Sequence, residues 1–323
     1  MSGRFKGKRI VVTGGAGFIG SHLVDALLAE GAAHVAVVDN FFLGKEENLS
    51  EARAAHGDQL SVHREDAGEF TAMKAVVDQV QPDLVFNLAT KALLYSFFNP
   101  AGACQVNLSI ATALAELLRM GAYGKLVHYS SSEVYGTARV VPMDEDHPLL
   151  AETSYAAGKA AADLLVSSYV KMFGLDISLI RPFNNYGPRQ NDGQLAAIIP
   201  LTVRRIREGA KPMIQGDGLQ TRDFIYVGDT VEATLKLALR DDIRGRVLNL
   251  GSGRETSIKA IIDGICREVA YDGDIDYLPT RPADVRRHWA GVDAATALIG
   301  DVAPTQLDVG LAKTIAWYRG RWS

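Results

Sequence analysis

Cysteine is scarce in this sequence. Only Cys104 and Cys266 occur among the 323 residues, and each lies within an apolar helical pattern. Two buried free thiols are therefore favoured over a disulfide or a metal site, and we expect no bound metal.

The sequence also lacks long runs of one residue class. It has no cluster of Lys and Arg, and its formal net charge is −4. Neither nucleic acid nor an anionic membrane is an expected partner, although a local phosphate pocket is compatible with this balance. The apolar run near the N-terminus is too short for a signal peptide. No apolar segment approaches the roughly 18 residues that span a bilayer, so we expect no membrane span and a cytoplasmic protein.

Short apolar runs rich in β-branched residues are abundant, and apolar residues make up 47% of the chain. These runs predict strands at 9–13, 34–39, 60–66, 84–89, 125–130 and 177–182. Helical patterns lie between them near 19–30, 70–80, 101–120 and 154–173. Continuous apolar strands that alternate with helices are typical of an α/β protein with a doubly wound parallel sheet covered on both faces.

The pattern changes after Arg181. The segment NNYGPRQNDGQ predicts a loop. Beyond it we predict a helix near 196–208, short strands in PMIQGDG, DFIYV and RVLNLGSG, and a helix after DFIYV with Asp229 as its N-cap. Further helices are predicted at 257–270 and 307–319.

This order predicts a chain that leaves the sheet, returns and leaves again. We predict a large domain formed by 1–182 with about 224–252. A smaller, discontinuous C-terminal substrate lobe would be formed by about 183–223 and 253–323.

A glycine motif follows the first predicted strand. The segment VVTGGAGFIGSHL places Gly14, Gly17 and Gly20 at the start of a helix. Glycine lets the backbone turn tightly and approach a pyrophosphate, which then lies at the helix N-terminus. An ordinary glycine-rich turn would share this pattern, so the motif needs support from the neighbouring strands.

Two carboxylates provide that support. Asp39 ends the second predicted strand, at the spacing of a side chain that binds the adenosine ribose hydroxyls and repels a 2′-phosphate. This favours NAD over NADP. Asp66 ends the third strand, where it could accept from the adenine amino group or be a solvated strand end. Together these features predict a Rossmann-type sheet with a dinucleotide site.

Tyr155 and Lys159 lie four residues apart at the start of a predicted helix and share one face of it. A free phenol has a pKa of roughly 10, which is high for a base at neutral pH. A neighbouring ammonium and the positive nicotinamide ring would lower that pKa. The resulting tyrosinate could remove a proton from a sugar hydroxyl while hydride leaves the same carbon.

With these motifs the chain resembles the extended short-chain dehydrogenase/reductase family, and most closely its nucleotide-sugar epimerases, dehydratases and decarboxylases. The resemblance runs end to end and rests on TGGAGFIGSHL, SSSEVYG, SYAAGK, RPFNNYGPRQ, GDGLQTRDFIYVGD and RPADVRR. It implies that Ser131 holds the reacting sugar oxygen, with Tyr155 as base and Lys159 as its partner. Further cofactor contacts implied by the resemblance are Phe18, Ile19, Asn40, Ala67, Leu88, Ala89, Thr90, Asn107 and Pro182.

The resemblance also implies a nucleotide-sugar substrate. Asn184, Arg222 and Arg281 would hold its two phosphates, with Gln215 and Asp284 near the nucleoside. Lys91 is unusual for the family and would meet a polar sugar substituent or replace a neutral contact. The helices matching 101–120 and 154–173 usually pair across a two-fold axis, so a homodimer is expected.

The reaction depends on Ser132 and Glu133. All these enzymes are expected to oxidise C4 of the sugar first, and a 4-keto group acidifies the C5 hydrogen. Glu133 stands where 4,6-dehydratases often carry the C5 base, and Ser132 replaces the acid of one dehydratase group. We therefore lean towards an NDP-hexose 4,6-dehydratase, with a 4-epimerase or a UDP-glucuronate decarboxylase as alternatives. A non-catalytic NAD-binding module is disfavoured because Ser131, Tyr155 and Lys159 are all present.

Overall fold

The computed structural model describes residues 3–322. Its strands are β1 Arg9–Thr13, β2 His34–Val38, β3 Leu60–His63, β4 Leu84–Asn87, β5 Lys125–Tyr129, β6 Ile177–Pro182, β7 Asn184–Tyr186, β8 Met213–Gln215, β9 Thr221–Tyr226, β10 Val247–Leu250, β11 Glu255–Ser257 and β12 Asp276–Leu278. Its α-helices are α1 Phe18–Ala29, α2 Ser50–His56, α3 Phe70–Val80, α4 Pro100–Arg119, α5 Ser154–Phe173, α6 Ile198–Arg207, α7 Val227–Ala238, α8 Ile258–Val269, α9 Asp293–Ile299 and α10 Leu307–Trp322.

Seven strands form one parallel sheet in the order β10-β6-β5-β4-β1-β2-β3. Successive residues of β1 point to opposite faces of the sheet, and each face is covered by helices. Ile10 and Val12 pack into a core cluster on one face with α1 and α7, whereas Val11 packs into a second cluster with α3, α4 and α5. The predicted doubly wound α/β fold is confirmed.

The predicted strands and helices of the first half are all present, with ends that differ by a few residues. Short elements were missed, among them α2, α9, β7, β11 and β12, because they carry too few residues for a periodic pattern.

The predicted N-cap at Asp229 is wrong. β9 leads directly into α7, so Tyr226 precedes the helix and Asp229 lies in its first turn. There Asp229 accepts hydrogen bonds from the backbone N of Thr305 at 3.0 Å and from its Oγ1 at 2.8 Å.

The smaller lobe contains a three-stranded sheet, β11-β9-β7, and the parallel pair β12-β8. Its own core is formed by side chains of α6, α8 and α10, including Ile261, Ile262 and Ile315. The predicted boundary near residue 224 falls inside β9, which pairs with β7 and β11 instead of the large sheet. Conversely, α9 packs against α7 and β10 on the large sheet.

Helices α4 and α5 pack against each other along the large sheet. Gly158 permits this approach, since a Cβ there would lie 2.5 Å from the carbonyl oxygen of Cys104.

By length and composition α4 could cross a membrane, which the sequence analysis did not expect, but half of its most apolar stretch is buried inside the fold. That burial is typical of a core helix. Cys104 and Cys266 are free thiols, as predicted, although both are half-buried instead of buried.

A buried ionic network joins α5 to the large sheet. Arg181 in β6 donates from Nε to Asp163 Oδ2 at 2.9 Å, and both side chains are almost fully buried. The same guanidinium donates to the hydroxyl of Tyr135 at 2.9 Å, which in turn donates to Asn249 Oδ1 at 2.8 Å. Removing one member of such a pair leaves the other charge buried without compensation.

Asp163→Ala should therefore lower the free energy of unfolding by about 3–5 kcal/mol, measured by urea denaturation. The matched control is Lys74→Ala, which breaks an exposed pair with Asp78 on α3 and should cost no more than about 0.5 kcal/mol. Equal, small losses for both variants would contradict this assignment.

Candidate active site

The glycine turn follows β1 and begins the first crossover of the sheet. Gly14 has a φ of +69°, and a Cβ there would lie 2.8 Å from the backbone N of Ala89. Among residues 3–322, no side chain caps α1, whose N-cap position is Gly17. The first backbone N–H groups of α1 therefore remain available for an anion, as a pyrophosphate requires.

Both predicted adenosine carboxylates lie at the ends of neighbouring strands. Asp39 is buried, and it accepts from the backbone N of Ala16 at 3.0 Å and of Phe41 at 2.8 Å. Burial raises its pKa from the ordinary value, and these hydrogen bonds act in the opposite direction. Asp66 accepts from Asn40 Nδ2 at 2.9 Å and from its own loop. Both carboxylates are thus held in fixed orientations.

A cavity of about 390 Å³ runs along these strand ends. Nearly every predicted cofactor residue lines it: Gly14, Gly17, Phe18, Ile19, Gly20, Asp39, Asn40, Asp66, Ala67, Leu88, Ala89, Thr90, Tyr155, Lys159 and Pro182. Asn107 does not line it. Asn107 lies behind Thr90, whose hydroxyl donates to Asn107 Oδ1 at 2.7 Å, so this side chain acts on the cavity only through its neighbour.

Lys159 reaches the same cavity from α5. Its Nζ donates to the backbone oxygen of Tyr129 at 2.8 Å, and burial lowers its pKa to about 8. Tyr155 was expected to have a lowered pKa. Burial instead raises the pKa of Tyr155 to about 12, although hydrogen bonds with the hydroxyls of Ser131 and Thr90 oppose that rise. The predicted lowering depends on a nicotinamide ring beside the phenol as well as on Lys159, and it stays a prediction.

The SSSEVYG segment forms a short turn directly after β5. Ser131 Oγ accepts from the backbone N of Glu133 at 3.2 Å and so caps this turn. Ser131 lines the cofactor cavity and also an adjoining cavity of about 570 Å³. Glu133 lines the adjoining cavity, and burial raises the pKa of its carboxyl while Arg222 and Arg281 lower it. Ser132 is buried and lines neither cavity, which is at odds with its predicted role.

Two arginines and one carboxylate line the adjoining cavity. Arg222 donates to Asp284 Oδ1 at 3.0 Å, and Arg281 donates to the same oxygen at 2.9 Å. Two positive charges therefore share one negative charge. The Nε of Arg281 and the Oδ1 of Asn184 are buried without a partner among the described residues. Gln215 lines the cavity as well, so this set offers donors and acceptors to a phosphorylated ligand.

Lys91 is the exception among the predicted substrate residues. It lines the cofactor cavity instead, with its ammonium over the ring of Phe42. Its position follows from β4, whose C-terminal end adjoins the glycine turn.

Several cavity residues were not predicted. Phe183 and Gln190 line both cavities. Arg189 lines the cofactor cavity with a φ of +64° and forms ion pairs with Asp25 of α1 and Glu51 of α2. The only sequence signal for these residues was the loop-like segment that follows Phe183, which indicates irregular backbone but no specific contact.

Comparison with known proteins identifies the relatives of this chain. The family model described as GDP-mannose 4,6 dehydratase matches residues 11–314. A UDP-glucose 4-epimerase of Mycolicibacterium smegmatis is 33% identical over 97% of this chain and 99% of its own. UDP-glucuronic acid decarboxylase 1 of Xenopus tropicalis is 32% identical over 97% of this chain and 72% of its own.

Solved structures agree with these sequence relatives. The dTDP-glucose 4,6-dehydratase of Streptomyces venezuelae, crystallised with NAD bound, has a TM-score of 0.90 and 27% identity, covering 97% of each chain. The named relatives catalyse three different reactions, so the likeness alone selects none of them. The chain belongs to the GDP-mannose 4,6-dehydratase family, within the extended short-chain dehydrogenase/reductase enzymes that act on nucleotide sugars.

Proposed function

We propose that this chain oxidises C4 of a nucleoside-diphosphate sugar and returns the hydride within the same active site. The observation that carries the proposal is that Ser131 and Tyr155 line both cavities. A sugar hydroxyl between these two side chains would lie at the junction of the cofactor and substrate sites. Such a shared position is what direct hydride transfer requires.

NAD is the proposed cofactor. The uncapped N-terminus of α1 suits a pyrophosphate, and the fixed carboxylate of Asp39 suits the two hydroxyls of an unmodified adenosine ribose. When bound, NAD supplies a hydride acceptor for C4 and a positive ring that lowers the pKa of a neighbouring phenol.

Three side chains would act in removing the proton of the C4 hydroxyl. Tyr155 takes it from the sugar hydroxyl, and Ser131 holds the reacting oxygen through its own hydroxyl. Lys159 stands one helical turn from Tyr155 with its ammonium fixed on the oxygen of Tyr129. A positive charge near the phenol favours the tyrosinate over the neutral phenol.

The diphosphate would bind to Arg222 and Arg281. These two guanidinium groups share one oxygen of Asp284, and the Nε of Arg281 has no partner among the described residues, so N–H donors remain for phosphate oxygens. We assign this nucleotide-binding role to the discontinuous lobe that supplies them.

The fate of the 4-keto sugar depends on Glu133. Its carboxyl lines the substrate cavity, and burial raises its pKa, which favours a group that both accepts and donates a proton. Glu133 could take the C5 proton and deliver it to the departing C6 hydroxyl, which leaves as water. This favours a 4,6-dehydratase, in which the hydride then returns to C6 while C5 takes up a proton from solvent.

A 4-epimerase is the second candidate. Ser132 lines neither cavity and so offers no separate acid for the C6 hydroxyl. Without elimination, the hydride would return to the other face of C4 and only that centre would change.

We also propose a homodimer, assembled through α4 and α5. Their outer faces expose apolar side chains, among them Leu108, Leu164 and Met172. A two-fold contact between α4 and α5 of two copies would bury this surface.

Light scattering should give a dimer for the unmodified chain. Leu164→Arg, which places a charge on the exposed face of α5, should give a monomer, whereas Leu239→Arg at a separate exposed position should remain dimeric. A monomeric unmodified chain would refute the proposal.

Tyr155→Phe should reduce C4 oxidation about 10²- to 10⁴-fold, because the phenol oxygen that accepts the proton is lost. The measurement is NADH absorbance under single turnover with a nucleotide sugar. The matched control is Tyr169→Phe on the same helix, where the hydroxyl donates to Glu116 and lines neither cavity. Equal rates in both variants would remove Tyr155 from the chemistry.

Glu133→Gln should abolish exchange of the C5 hydrogen with deuterated solvent while C4 oxidation survives. In the unmodified enzyme the exchange rate should rise with pH, because the carboxylate is the active form. Its midpoint should lie above the ordinary Glu pKa of about 4.3, since burial disfavours the charge. NMR of UDP-, GDP-, CDP- and dTDP-sugars measures exchange and product together.

The control is Glu152→Gln, an exposed carboxylate that accepts from the backbone N of Thr137. Persistent C5 exchange in Glu133→Gln would disprove the role of this carboxylate. A product inverted at C4 with C6 intact would select the epimerase.

A further inference from the structure

Three side chains from two separate loops form a stack beside the cofactor cavity. Phe42 lies in the loop after β2, whereas Lys91 and Tyr95 lie in the segment after β4. The Nζ of Lys91 is 3.4 Å from the centroid of the Phe42 ring and 5.7 Å from that of Tyr95. The two rings meet edge to face, with centroids 5.2 Å apart. We call these three residues the clasp.

The sheet order explains where the clasp lies. β2 and β4 are the two neighbours of β1 in the sheet, and the glycine turn follows β1. Loops at the C-terminal ends of β2 and β4 therefore stand on either side of that turn. Phe42 and Lys91 both line the cofactor cavity, so their contact joins its two walls.

The ammonium of Lys91 is held mainly by ring faces. Among the described residues it forms no ion pair within 4.0 Å, although Asp39 and Asp66 attract it from a greater distance. Partial burial lowers its pKa, which marks an ammonium that has lost part of its water. Cation–π contacts strengthen as water is removed, so the stack is favourable at this depth.

The first loop is fixed from a second direction. Lys45, which also lines the cofactor cavity, donates to Asp192 Oδ1 at 3.0 Å in the segment after β7. The loop after β2 is thus tied both to the β4 side and to the smaller lobe. Phe42 itself remains 43% exposed, so release of the clasp would move few buried atoms.

We propose that the clasp retains the dinucleotide by closing the cavity over it, and that opening of the Phe42–Lys91 contact limits cofactor release. This inference rests on the proposed binding of NAD. Retention matches the proposed chemistry, because a hydride that returns within one active site requires no exchange of cofactor between turnovers. If Lys91 instead held the cofactor by direct contact, the Phe42 ring would not be required. Replacing Phe42 therefore distinguishes the clasp from a direct contact.

The test measures release of radiolabelled NAD from the purified full-length chain after a chase with excess unlabelled NAD. Lys91→Met and Phe42→Leu should each accelerate release about 5- to 20-fold, the effect of one partly desolvated cation–π contact. The double variant should be no faster than the faster single variant, because both changes break the same contact. Lys91→Arg should restore slow release, since a guanidinium also stacks on aromatic rings.

Lys74→Met serves as the control, because Lys74 is an exposed cation on α3 that does not line the cavity. It should leave the release rate unchanged. Acceleration below twofold in both single variants would overturn the clasp, as would effects that multiply in the double variant. Equilibrium binding of NAD to the unmodified chain is measured first, and a failure there rejects the cofactor assignment itself, apart from the clasp.

Discussion

The reversal of strand order at β1 is the constraint on which the rest of the site depends. The chain runs outward through β1, β2 and β3 and then returns to place β4 on the other side of β1. In parallel sheets, loops diverge at such a point and leave a crevice beyond the carboxyl ends of the strands. The glycine turn, the carboxylate of Asp39 and the Leu88–Lys91 segment all meet there because each directly follows one of these strands.

Close approach of two backbone segments, the glycine turn and the loop after β4, sets the dimensions of that crevice. Gly14 and Ala89 are so near that any side chain at position 14 would strike the backbone of the β4 loop. The glycine therefore fixes the distance between the two loops as well as the turn itself. The same principle joins α4 and α5, where Gly158 meets the carbonyl of Cys104 and brings Lys159 to the oxygen of Tyr129.

Charge is distributed unevenly between the two cavities. In the cavity lined by Glu133, Arg222 and Arg281 share one oxygen of Asp284. In α5, Asp163 is paired with Arg181 and also attracts the ammonium of Lys159. The phenol of Tyr155 thus sits in a protein environment that keeps it protonated. A phenol in such an environment loses its proton more readily when a positive group is brought beside it.

Sequence alone determined the parallel sheet, its helices and most of the cofactor cavity. Two local patterns carry this information. Continuous apolar runs indicate strands buried on both faces, and glycines or carboxylates just after a strand indicate a ligand site at the end of the sheet. Gly14, Asp39 and Tyr155 were predictable for this reason.

Tertiary structure decided the remainder. It turned Lys91 from the substrate site towards Phe42, placed Ser132 outside both cavities and raised the pKa of Tyr155. Those outcomes depend on burial and on contacts between residues distant in the chain, and no local pattern encodes either.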